Sequence, residues 1–140
     1  MNDKKDVFRI ARFSLFLVYL WFGFLKIIFV SSANDLVLQL LHVTFLHHFV
    51  SDHTFLIIFG LFEMLIGVLA LFPSLTRWMF GLIILHLATT FLPFILLPDV
   101  VWKGFLTPTF TGQYILKNFL LFSLAYMLFS FREGKNTTTK

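Results

Sequence analysis

Glu63 and His86 are the residues best suited to proton chemistry in this sequence, and both stand in apolar runs, "GLFEMLIG" (60–67) and "LIILHLATT" (82–90). A carboxylate and an imidazole within hydrogen-bond reach can relay a proton between them. Lys26, in "YLWFGFLKIIFV" (19–30), and Lys117, in "QYILKNFLL" (113–121), add two ammonium donors able to polarise a carbonyl or attract an anion. A lysine or carboxylate at the centre of a hydrocarbon-spanning helix costs roughly 2.5–3.5 kcal/mol on insertion scales. A chain that keeps several needs compensating contacts.

Each residue has a structural reading beside the functional one. At 1.5 Å per residue, both lysines fall about 6 Å inside the outer end of their apolar runs. Their stems are long enough to carry the ammonium back to the headgroups, or to turn it toward other helices. Glu63 and His86 lie deeper, about 14–16 Å from that end. Glu63 is too deep to reach the headgroups, so it is neutral, paired with a lysine, or open to a watery cavity. The pairing with lysine needs no ligand. His86 has its own alternative, a neutral ring bonded to a neighbouring threonine or carbonyl.

Helical spacing favours a shared inward face. Arg12, Tyr19, Gly23 and Lys26 form one stripe, and Gly60, Glu63 and Gly67 form another whose glycines permit close helix approach. His86, Thr89, Thr90 and Pro93 mark a third face; Gln113 and Lys117 share a fourth, with Tyr114 and Asn118 beside them. The expected arrangement is two cations above one carboxylate and one imidazole. Glu63 and His86 would relay protons. Lys26, Lys117, Gln113, Tyr19 and Asn118 would hold a ligand headgroup, with Trp21, Phe22 and Tyr114 packing its ring.

Other chemistries find little support. The chain has no cysteine, which removes disulfides, thiol redox motifs, covalent haem attachment and thiolate-held clusters. No glycine-rich nucleotide fingerprint occurs. His42, His47, His48 and His53 match no zinc spacing, so no metal site is expected. Haem b is not expected either, since His86 is the single histidine within an apolar run.

The elements that position these groups follow from composition. Of 140 residues, 59% are hydrophobic and 13% charged, and 21 are phenylalanine; the mean hydropathy is +0.89. Soluble domains carry about 25% charged residues, so this chain lacks the polar surface to cover a water-facing globule. Four apolar runs have the length of a membrane-spanning helix, at about 10–30, 54–72, 77–97 and 113–131. The expectation is an all-α integral membrane four-helix bundle, a single domain over 1–140, in contact with lipid and not with nucleic acid.

The segment between the first two runs, "ANDLVLQLLHVTFLHHFVSDH", repeats apolar residues at helical spacing. It predicts a short extra helix over about 35–49 in the outer loop, with Asp35 as its N-cap. Lys4, Lys5, Arg9, Arg12, Arg77, Arg132, Lys135 and Lys140 would share one side of the membrane and Lys103 the other, which puts both termini in the cytoplasm. "SSA" at 31–33 resembles a signal-peptidase site, but the preceding run is too long and ends in lysine, so it reads as a retained span. The "NTT" at 136–138 falls in the expected cytoplasmic tail, where its glycosylation pattern reads as chance.

The pieces "RFSLFLVYLWFGFLK" (12–26), "GLFEMLIGVLALFPSLTR" (60–77), "HLATTFLPFILLPDVVW" (86–102) and "TGQYILKNFLL" (111–121) resemble, in order and spacing, the DoxX-like superfamily of small four-helix bacterial membrane proteins. The first and last also resemble the related reactive-chlorine-resistance inner-membrane group. The resemblance implies a multi-pass protein of the bacterial inner membrane and points to oxidant or sulfur metabolism. Its implied role is a quinone-linked oxidoreductase subunit or accessory that meets a lipid quinone. A soluble or membrane oxidoreductase subunit, or a second copy of the chain, would be its partner. Two alternatives stay open: a non-catalytic membrane scaffold or assembly partner, and a small transporter of an anion or weak acid.

Overall fold

The computed structural model describes residues 3–137, and side chains for residues 5–132. The side chains of Lys4, Lys135 and Lys140 and the "NTT" pattern at 136–138 therefore lie outside the described residues. The chain is almost wholly helical. Helix α1 (Asp3–Ile27) begins before the expected 10–30 span, because the polar residues at its start continue the same helix. It stops earlier than expected, in a turn where Phe29 N–H donates to Lys26 O (3.1 Å) and Val30 N–H to Leu25 O (3.0 Å). That bond pair is a Schellman cap, and it places Phe29 in the left-handed region at φ 60°. Glycine usually takes this position; here the phenylalanine ring rests on His53, centroids 4.3 Å apart.

The extra helix is shorter than expected. Helix α2 (Asn34–Val43) ends where Thr44 turns extended and donates its hydroxyl to Leu41 O at 2.8 Å. A single 3-10 turn, Phe45–His48, follows. Asp35 is not the cap: Ala33 holds that position without a side-chain bond, and Asp35 lies in the first turn. Helix α3 (Asp52–Ala70) is capped by Ser51, whose hydroxyl accepts from Thr54 N–H at 3.3 Å.

A 3-10 turn at Pro73–Leu75 leads into α4 (Thr76–Phe91), which breaks before Pro93. Two one-turn helices, α5 (Pro93–Leu96) and α6 (Pro98–Val101), each open on a proline, whose missing N–H suits a first helical position. An unexpected hairpin comes next: β1 (Trp102–Gly104) pairs antiparallel with β2 (Thr107–Pro108). Helix α7 (Phe110–Leu116) follows, capped by Thr109, and after a one-residue turn at Lys117 comes α8 (Asn118–Thr137).

Among the described residues, four segments are long and apolar enough to cross a membrane: Lys5–Ile27, Asp52–Ala70, Pro73–Leu96 and Phe110–Arg132. Leu15, Tyr19, Ile66, Met79, Ile83 and Leu128 meet in a shared core. Large apolar side chains such as Trp78, Ile10 and Leu120 face outward instead, the pattern a hydrocarbon solvent requires. The closest packing joins α1 to α3. A Cβ added at Gly23 would lie 2.6 Å from Gly60 O, and one at Gly60 would lie 2.6 Å from Gly23 O. At the far end of α1, Arg12 donates to Ala70 O (3.0 Å) and Thr76 Oγ1 (2.8 Å), tying α1 to the α3–α4 turn.

Candidate functional site

The glycine contact sets α1 and α3 close enough for Lys26 and Glu63 to meet. Lys26 Nζ donates to both carboxylate oxygens of Glu63, at 2.7 Å to Oε2 and 3.0 Å to Oε1. Lys26 is 4% exposed, so its stem does not carry the ammonium to the surface. Of the alternatives for this lysine, the inward one is observed, and Glu63 is the partner.

Helix α4 brings a second donor to the same carboxylate: His86 Nε2 lies 3.0 Å from Glu63 Oε1. A carboxylate only accepts, so Nε2 carries the proton and Nδ1 is left as an acceptor. The Tyr19 hydroxyl, 3.4 Å from Nδ1, supplies the matching donor. The result is a continuous chain, Tyr19 to His86 to Glu63 to Lys26, drawn from three helices and buried throughout. Phe59 packs under it, stacked on the His86 ring at 5.7 Å and 5.7 Å from Lys26 Nζ. Phe59 escaped the sequence reading, although it stands one helical turn before Glu63. Thr89 and Thr90 donate to His86 O (2.7 and 2.8 Å) and so serve the helix backbone.

This chain forms the floor of a cavity of about 640 Å³. Its walls come from Val18 and Phe22 on α1, Leu36, Val37 and Leu40 on α2, Phe55 and Phe59 on α3, and Ile115 and Leu121 beyond the hairpin. Helix α2 thus covers the cavity. The size and the apolar lining with few convergent polar groups are those of a small-molecule site. No protein-family model, curated protein or solved structure matches the chain. The site must be read from its own geometry.

The remaining expected ligand-holding residues divide. Tyr114, Lys117 and Asn118 line the cavity. Gln113 does not: it is exposed and outside the lining. Lys117 is exposed and reaches no carboxylate among the described residues, so one cation, not two, stands over Glu63. Lys117 N–H still donates to Gln113 O (3.2 Å), so the two residues do share a helical face, but that face is exposed and does not turn toward Glu63. Phe22 meets the Tyr114 ring edge-on at 6.3 Å, whereas Trp21 faces outward.

His42, His47, His48 and His53 are engaged in local contacts. His42 Nε2 pairs with Asp52 Oδ1 at 3.1 Å, the His47 ring bonds Thr44 O at 2.6 Å, His48 stacks edge-on against His47, and His53 lies against Phe29. Among the described residues, no three His, Asp or Glu side chains are grouped to hold a metal ion.

Proposed function

We propose that this chain is a DoxX-like membrane subunit or accessory of a quinone-linked oxidoreductase, and that its cavity receives the headgroup of a lipid quinone. In this reading the four apolar segments cross a bacterial inner membrane with both termini in the cytoplasm, and the cavity opens near the outer leaflet. The observation that carries the proposal is a buried chain of four proton-exchanging side chains at the floor of an apolar cavity. Quinone reduction consumes electrons and protons together, so a site that excludes water must bring protons by side chains. His86 is placed for this: a proton taken at Nδ1 from the Tyr19 side can leave from Nε2 toward Glu63. The electrons would come from a partner subunit.

The test is organic extraction of protein purified in native lipid, with quinone titration followed by intrinsic fluorescence. The expected result is near-stoichiometric quinone and saturable quenching, both reduced at least several-fold in Val37→Phe, which narrows the cavity from α2. Quinone at the level of the surrounding lipid, with no saturable quenching, would overturn the reading.

A second reading is favoured by the hairpin. Phe105 and Leu106 at its tip are 94% and 75% exposed, with Leu106 in the left-handed region. A scaffold would use this tip to bind another membrane or envelope protein. Deleting the tip would then abolish stoichiometric co-purification of that partner while leaving quinone content unchanged; a partner retained without the tip would sink it.

A further inference from the structure

The polar groups of the cavity fall into two sets that differ in how far they are satisfied. On the floor, both Glu63 oxygens are occupied, the His86 nitrogens both have partners, and two of the Lys26 donors are committed to the carboxylate. Such a set can pass a proton along its existing bonds, but it has no free group with which to anchor an arriving headgroup unless a buried ion pair breaks, and that loss is severe in a low dielectric. Lys26 is therefore not the group that meets a ligand oxygen first.

On the wall, Lys117 and Asn118 have no side-chain partner among the described residues, and both line the cavity. The charges sum in one direction as well. Lys26 and Glu63 cancel, which leaves the Lys117 ammonium, among the described residues, as the one unbalanced charge on a mostly apolar cavity. A positive charge bordered by apolar walls attracts an anion more strongly than it would in water. A charge-assisted bond to an anionic oxygen is also roughly twice as strong as one to a neutral carbonyl.

We infer that Lys117, assisted by the Asn118 amide, selects a quinone whose ring bears an ionised hydroxyl over a neutral quinone of the same shape. The inference rests on the quinone reading above and names the charge state of that ligand. Lys117 is available for this because its side chain is exposed at the cavity wall and takes no part in the Lys26–Glu63–His86 network.

The test compares two probes with the same alkyl chain, a hydroxynaphthoquinone and the naphthoquinone lacking the hydroxyl, bound to the full chain in lipid nanodiscs at a pH where the hydroxyl is ionised. The wild type is expected to bind the hydroxylated probe about tenfold more tightly. Lys117→Met should bring the two probes to within about twofold, and Lys117→Arg should keep the preference. The visible absorption of the ionised ring gives an independent readout: the bound probe should ionise at lower pH in the wild type than in Lys117→Met. Because Lys117 is exposed and unpaired, its replacement leaves the fold intact, which thermal unfolding checks. Equal affinity for both probes in the wild type, or a preference unchanged in Lys117→Met, overturns the inference and leaves the quinone reading standing. Failure of both probes to bind removes the quinone reading itself.

Discussion

Glu63 accepts from two helices at once, so each of its donors is held in place by the other's position. Removing one member of a buried ion pair leaves an uncompensated charge and destabilises by roughly 3–5 kcal/mol. Lys26→Met and Glu63→Gln are each expected to lower thermal stability in detergent by that order. The double variant should recover most of the loss, since a neutral amide and a thioether leave no charge stranded. An additive double variant would show that the two side chains do not act as a pair. At this scale much was legible. Helical spacing placed Tyr19, Lys26, Glu63 and His86 on inward faces, and all four are buried together. Lys117 was read onto the same cluster from its depth and spacing, which do not fix how its helix is rotated about its own axis; its side chain is exposed instead.

Helices α1 and α3 meet backbone to backbone at Gly23 and Gly60, and the Lys26–Glu63 pair depends on that approach. Gly60→Ala would drive a methyl against Gly23 O, which cannot move as a side chain end can. The expected loss is about 1–3 kcal/mol, the usual range for overpacking, with weaker probe binding as α1 and α3 separate. Gly81→Ala is the control. Nothing lies within 4 Å of its added methyl, so stability should hold or rise slightly. Equal effects at both positions would mean that the close approach is not what Gly60 provides. The long helices were readable from apolar length alone, but their ends were not. Phe29 closes α1 from a position where glycine is usual, Thr44 ends α2 through its own hydroxyl, and the hairpin joins strands too short to show alternation. These are tertiary and local hydrogen-bond effects that hydrophobic periodicity does not register.

Seen whole, the molecule is apolar on its rim as well as in its core, with the Lys26–Glu63 pair buried between helices while tryptophan and leucine face outward. If the four segments span a membrane, the α3–α4 turn and the hairpin tip lie on opposite sides. The chain lacks cysteine, so single substitutions report cleanly. In intact spheroplasts an impermeant maleimide should label Phe105→Cys and leave Ser74→Cys unlabelled until the membrane is opened. The reverse pattern would invert the orientation read from the lysine and arginine distribution. Arg12, which ties α1 to the α3–α4 turn, has a counterpart in the self-contained floor of the cavity: both ends of the bundle are fastened before any guest arrives. A guest's tail must then supply most of its hold, and each methylene added to a homologous series should tighten binding by about fourfold until the space is full.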